Sequence, residues 1–422
     1  MTATGPARLD DINPADPAFW MRPAREREEA FAVLQAAGRP QHFPEPDLEA
    51  FGLGAGPGYY ALVRHADIAE ASRTPRVFSS ERGIAGLVDP PEEFAEFFGS
   101  MIVMDDPRHA RLRRIVSRAF TPRVIAGLND GIQRAAVEIV EAFRPKGGGD
   151  FVDEVAAPLP MRVICDMMGI PPEKHERVLE LSNIIIGAGD PEYTPGAATA
   201  EEAFLASYEA SKELAALVTD LAAERAERPT DDLTSVLVHA NVEGEKLAHQ
   251  EVAAFFILLV IAGNETTRNA IAHGLKLFTR HPGQRAALLE DFEGRIAGAV
   301  EEILRYASPV TYMRRTLTRD HTLGGTPMRE GDKVLMFYGA ANRDEAVFKD
   351  PHVFDIARDP NPHLAFGAAG PHFCLGAHLA RREITVMFRE LFTRLPGIRS
   401  TAPPERLLSS FVNGIKHLEC AF

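Results

Sequence analysis

The 422-residue chain is poor in cysteine, with three, and has a single tryptophan. Cys165, Cys374 and Cys420 are too few and too far apart to form a disulfide framework. A basic excess is also missing: 46 Lys and Arg stand against 60 Asp and Glu, for a net charge of −14. That balance argues against nucleic acid as the main partner, because phosphates demand a basic footprint. Long hydrophobic runs are absent as well. The longest, VAAFFILLVIA at 252–262, falls short of the roughly 20 residues that cross a bilayer, so no transmembrane segment is expected. The opening MTATGPARLD lacks the apolar core of a signal peptide, and the expected location is cytoplasmic. There is no internal repeat, no low-complexity tract and no linker long enough to separate two cores.

What is present is ordinary globular material, 45% apolar and 25% charged, long enough to bury a large core. Amphipathic spacing predicts helices at 24–37, 107–119, 124–143, 158–168, 172–188, 201–227, 250–280 and 285–306. YYALVR at 59–64 reads as a short strand. After Pro309 short apolar segments (TYMRRTLT, KVLMFYGA) alternate with Gly and Pro turns, which predicts small sheets. A final helix follows Cys374 and runs to about Leu395. The expectation is one mainly α domain with minor β structure over 1–422. Within it, 1–60 form an N-terminal segment with short strands, and 61–308 with 374–395 form the helical part. The small sheets and the cysteine loop occupy 309–373 and 396–422.

Two stretches resist a purely structural reading. The helix at 250–280 is apolar all round in its first half and should be buried, yet AGNETT at 262–267 interrupts it. Glu265 is costly to bury unpaired, Thr266 can bond a backbone carbonyl or a ligand, and Gly263 lets something pack flat on the backbone. An acid beside a hydroxyl in a dry setting suits proton delivery; a kinked core helix is the alternative. The second stretch is HLAFGAAGPHFCLGA at 363–377, a tight glycine loop that delivers Cys374 to a helix start, where backbone N–H groups favour a thiolate. An inert buried cysteine is the plain alternative. Zinc fits poorly, because no other cysteine is spaced to complete a tetrahedral site. A lone thiolate suits an axial haem ligand.

Together with E-x-x-R at Glu302–Arg305, these motifs resemble, in order, those of the cytochrome P-450 family, over nearly the whole chain. The resemblance implies a helix-rich triangular prism with small β-sheets and haem b as cofactor. It makes Cys374 the metal ligand. His109, Arg113, Arg315 (or its neighbour Arg314) and His372 would hold the propionates, and Phe366, Gly367 and Gly263 count among the cofactor contacts. It implies Glu265 and Thr266 as catalytic residues, and Arg358 or Arg343 as the partner of the Glu302–Arg305 pair. The implied activity inserts one oxygen atom from O2 into a C–H bond of a hydrophobic small molecule, with electrons from a ferredoxin and its reductase.

The loop from Phe366 to Cys374 is one residue longer than in most bacterial members, because of Ala368-Ala369. That length occurs in a subgroup that oxidises lipids and sterols. Stretches at 96–122, 164–171, 255–271 and 411–418 resemble its methyl-branched-lipid ω-hydroxylases. Hydroxylation of a terpenoid or sterol is the alternative, followed by a haem-thiolate sensor or carrier without turnover and a peroxide-driven hydroxylase. The expected pocket walls are the 84–103 loop, 180–205, Phe256–Gly263, 309–313 and Phe411-Val412, with Met101, Ile102, Met104, Ile185, Ile186, Val310 and Phe411 as apolar lining. Arg108, Arg111, Arg114 and Arg118, with Arg381 or Arg382, are expected to dock an acidic ferredoxin.

Overall fold

The computed structural model describes residues 9, 12–45, 56–82, 86–87, 99–187, 190–242 and 245–422. The helices that matter below are α1 (Ala24–Ala36), α2 (Arg108–Val116), α3 (Pro122–Phe143), α4 (Pro158–Met168), α5 (His175–Ile186), α6 (Ala200–Glu227), α7 (His249–Arg280), α8 (Phe292–Ala307) and α9 (Ala377–Arg394).

Helix α7 has 32 residues, about 48 Å at 1.5 Å per residue. Its apolar circumference leaves it no stable place but the interior. Phe256, Val260, Ile271, Leu275 and Phe278 are completely buried, and α4, α6, α8 and α9 pack round it.

The helices expected at 124–143, 158–168 and 201–227 form within two residues of those bounds. The one expected at 285–306 does not form as one piece. It is a short helix at Pro282–Glu290 followed by α8, and Asp291 ends the first and caps the second by accepting from Gly294 N at 3.0 Å. An acid able to satisfy orphan N–H groups competes there with helix continuation. The final helix begins only at Ala377, so Cys374 precedes it by three residues.

Five strands form one mixed sheet in the order β1-β2-β5-β4-β3. They are β1 (Gln41–Phe43), β2 (Tyr59–Leu62), β3 (Phe78–Ser79), β4 (Tyr312–Leu317) and β5 (Lys333–Phe337). β5 runs parallel to β2 and antiparallel to β4, pairing Leu335 with Ala61 and with Arg314. Side chains alternate faces along a strand, so Arg314 and Arg315 must leave β4 in opposite directions.

A buried ionic cluster ties the end of α8 to the segment after β5. Glu302 receives Arg305 at 2.8 Å and Arg358 at 3.2 Å. Arg305 also donates to the carbonyls of Asn342, Pro351 and Val353. The third member is therefore Arg358. Arg343 donates instead to the Tyr306 and Gly339 carbonyls. Among the described residues no helix is long and apolar enough to cross a membrane.

Candidate active site

The cysteine loop is held by its own backbone. Cys374 N donates to Phe366 O at 2.9 Å and Gly367 N to Leu364 O at 2.9 Å. Gly367 has φ +81°, a conformation that favours glycine. A Cβ on Gly370 would come 2.2 Å from the Ser72 carbonyl oxygen, so only glycine lets the loop lie against that segment.

Cys374 opens onto an interior cavity between this loop, α7 and β4. The Gly376 N–H bonds its sulfur, and Arg113 and Arg381 favour the thiolate, but burial outweighs them and pushes the thiol up. A metal cation on the sulfur would reverse that balance.

Arg113, from the last turn of α2, donates to the Phe373 carbonyl and lines the cavity. His372 lines it too and bonds Ser80 Oγ at 3.1 Å. Burial, then the neighbouring Arg315, His109 and Arg113, drive its pKa down to about 3, so its ring is neutral. His109 stacks on His372 with ring centres 4.2 Å apart. It is buried, its own pKa is lowered, and its Nε2 has no partner. Arg315 lines the cavity with 8% exposure and donates to the Arg314 carbonyl at 2.6 Å. No carboxylate among the described residues pairs with it. Arg314, on the opposite face, is committed to the Leu87 and Arg82 carbonyls at 2.9 and 3.2 Å and does not line the cavity.

An uncompensated buried guanidinium and an orphaned imidazole nitrogen are costly alone. Here they stand beside a thiol, a second arginine and a second histidine. This donor set suits a flat apolar group that carries one metal and two carboxylates, which is haem. Phe366 and Gly367 line the same cavity.

The α7 wall is Phe255, Leu258, Leu259, Ala262, Gly263, Thr266, Thr267 and Ala270. Thr266 Oγ1 donates to the Ala262 carbonyl at 2.8 Å, one turn back. Gly263 contributes backbone to the wall, but its missing side chain faces α4, where a Cβ would meet Ile164 Cδ1 at 2.5 Å. Its smallness therefore serves helix–helix approach. Glu265 is 1% exposed and does not line the cavity. It is ion-paired with Arg268 and accepts from Asn269 Nδ2 at 2.7 Å. Arg268 reaches Asn183 on α5 at 2.9 Å, and Asn269 Oδ1 accepts from Ile415 N at 2.7 Å.

The expected pocket walls are met in part. Met101, Ile102, Pro309, Val310 and Met313 line the cavity. Phe256, Met104 and Ile185 are core, Ile186 and Val412 do not line the cavity, and Phe411 packs on Tyr312 with ring centres 5.6 Å apart. Residues 84–85 and 88–98 of the expected 84–103 wall, and 188–189 of the 180–205 wall, lie outside the described residues. In the basic cluster Arg108, Arg114 and Arg118 are exposed, whereas Arg381 is paired with Glu301 at 2.5 Å and stacked on Phe366.

Sequence reasoning missed the locks on Glu265. Arg268 and Asn269 follow it at i+3 and i+4, a spacing that signals pairing on a helix. It also missed Glu383, a fully buried carboxyl in the cavity wall pushed well above the usual carboxylate range by burial, with Oε2 unpartnered.

Comparison with known proteins places this arrangement. The family model described as Cytochrome P450 matches residues 201–398. The chain is 49% identical to the methyl-branched lipid omega-hydroxylase of Mycobacterium tuberculosis (strain H37Rv), over 97% of this chain and 94% of that protein. It is 39% identical to the steroid C26-monooxygenase of Mycolicibacterium smegmatis, over 85% and 82%. A solved Mycobacterium marinum cytochrome P450 in complex with pseudoionone superposes with a TM-score of 0.90 at 44% identity, covering 96% of this chain and 97% of that one.

Proposed function

This chain belongs to the cytochrome P450 family, and on that footing we propose that it hydroxylates the terminal (ω) carbon of a methyl-branched lipid. It is a haem-thiolate monooxygenase. The observation that carries the substrate is 49% identity over nearly the full length of both chains with an enzyme named for that reaction. The cavity supports it: Met101, Ile102, Phe255, Leu258, Leu259 and Val310 offer only apolar contact.

When bound, haem supplies the activation of O2 that inserts one oxygen atom into a C–H bond while the other leaves as water. The chain does the rest. Cys374 provides the sulfur ligand, and His109, Arg113, Arg315 and His372 hold the carboxylates. Phe366 covers the sulfur side and keeps water away. Thr266 Oγ1 holds and passes a proton at the cavity wall. Glu265 takes part only when its pair with Arg268 opens, because closed it has no path to the cavity. The two electrons come from a ferredoxin seated on the exposed Arg108, Arg114 and Arg118, with its reductase, in the cytoplasm.

The test is turnover with NADH, ferredoxin and reductase on methyl-branched fatty acids and alcohols, sterols and terpenoids. Branched lipids should give the largest spectral shift and a product oxidised at the terminal methyl. In-chain or ring oxidation, or preference for the sterol or terpenoid, overturns the reading. Peroxide supporting faster turnover than NADH would favour the peroxide-driven alternative.

A further inference from the structure

A second cavity lies at the C-terminal end of α7 and shares no lining residue with the one at Cys374. Its walls come from α1, the last turns of α7, the segment after β5 and the chain near Asn413. Cations crowd it: Arg27, Lys276, Arg280, Arg343 and Arg406. Glu28 is the one carboxylate among its lining residues, 3.7 Å from Arg343 Nε and 3.7 Å from His352 Nδ1. His273 and His281 also face it, both with lowered pKa through burial, so neither adds charge near neutrality.

These cations are poorly answered by the protein. Arg27 is 8% exposed, lies over the Trp20 ring at 5.4 Å and has an unpartnered Nε with no carboxylate paired to it. Arg406 donates to Asn413 Oδ1 at 2.8 Å and leaves its own Nε unsatisfied. The Thr311 hydroxyl, 3% exposed, lines the cavity without a partner. Lys276 makes no hydrogen bond or ion pair among the described residues. Burial first, then mutual repulsion with Arg406 and its neighbours, brings Lys276 down to about 8 and Arg27 to about 10. Like charges drawn together out of water oppose folding unless something neutralises them. One side of the cavity is apolar, with Trp20, Phe31, Leu277, Tyr306 and Phe337.

We propose that this cavity binds an oxyanion, a phosphate or a carboxylate, gripped by Arg27, Lys276 and Arg406 with the Thr311 hydroxyl as a further donor. A guanidinium fork presents two parallel donors to two oxygens of a carboxylate or of a phosphate. The apolar wall takes a hydrocarbon tail where the anion carries one. The site is separate from haem and from the hydroxylation reaction, and it stands or falls without them.

Calorimetric titration of the holoenzyme tests it, with inorganic phosphate and with laurate as probes and chloride at matched ionic strength as control. Saturable binding of either probe, an unshifted Soret band, and weakening by roughly tenfold or more in Lys276→Gln and in Arg406→Gln support the site. Laurate binding far tighter than acetate identifies a tailed anion; phosphate binding tighter than laurate identifies a free one. Three outcomes overturn the proposal: no saturable binding of either probe, affinities unchanged in both folded variants, or laurate as the sole probe bound and then only with a Soret shift, which places it in the other cavity.

Discussion

Arg314 and Arg315 leave β4 on opposite faces, and their substitutions should part accordingly. Arg315→Leu removes a buried donor aimed into the cavity. A hydrogen bond to a charged group contributes about 1.5–3 kcal/mol, so haem transfer to apomyoglobin should become roughly 10- to 100-fold more favourable. Arg314→Leu instead strips the donors that hold the Leu87 and Arg82 carbonyls. It should lower the denaturation midpoint while the folded fraction keeps its haem. Equal haem loss in both variants would show that Arg315 has no special part in holding the cofactor. At Thr266 the hydroxyl returns to its own helix through Ala262, so Thr266→Ala should leave the fold intact. Product formed per NADH consumed should fall severalfold; full coupling in the variant would remove Thr266 from the proton path.

Between elements, buried charge does what apolar packing cannot: it fixes one geometry. Glu302 and Arg305 are completely buried, and Arg358 adds a second guanidinium to the same carboxylate. Arg358→Ala leaves Glu302 paired with Arg305 alone and strips the donors to the Lys349, Asp350 and Val353 carbonyls, and should cost about 1.5–3 kcal/mol in denaturant unfolding. A cost under about 1 kcal/mol, the range of a surface pair, would mean that Arg305 suffices alone. A second link joins the strand at Ile415–His417 to Asp150 and to the loop before α6. His417 is paired with Asp150 and bonds Glu192 at 2.6 Å, which raises its pKa to about 9. Folded His417 thus holds its proton more tightly than the ordinary value near 6.5 allows. Its contribution is complete below pH 6.5 and is lost as pH rises to about 9. Unfolding free energy should therefore fall between those limits more steeply in the native chain than in His417→Gln; parallel curves would cancel this link. Such ties explain what could be read in advance. The path of α7 and the cysteine loop followed from periodicity and glycine spacing. The locks of Glu265 were open to reading from the i+3 and i+4 spacing of Arg268 and Asn269, whereas the break at Asp291 depended on a local cap that hydrophobic patterning does not encode. The walls at Phe411 and Ile185 failed because an apolar side chain is equally at home in a core and in a pocket.

Across the whole molecule, charge is unevenly spread. A chain of net charge −14 exposes Arg108, Arg114 and Arg118 on or just beyond α2, the helix whose Arg113 holds the Phe373 carbonyl. An acidic electron donor would be steered there by a field that salt screens. Reversing Arg114 and Arg118 to Glu should slow electron transfer roughly tenfold at low ionic strength and flatten its salt dependence. Unchanged rates would move the docking face elsewhere. The five-strand order and the second cavity at the far end of α7 were not legible in the sequence, because both arise from residues hundreds of positions apart.

The contact between Gly263 and Ile164 sets a limit of another kind. Bare backbone meets the tip of a side chain there, and that tip can turn about its own bonds, so an alanine at 263 would displace Ile164 before it pushed the two helices apart. Ile164 also borders the cavity at Cys374, so shortening that one side chain makes room for a bulkier guest with α4 and α7 left where they stand.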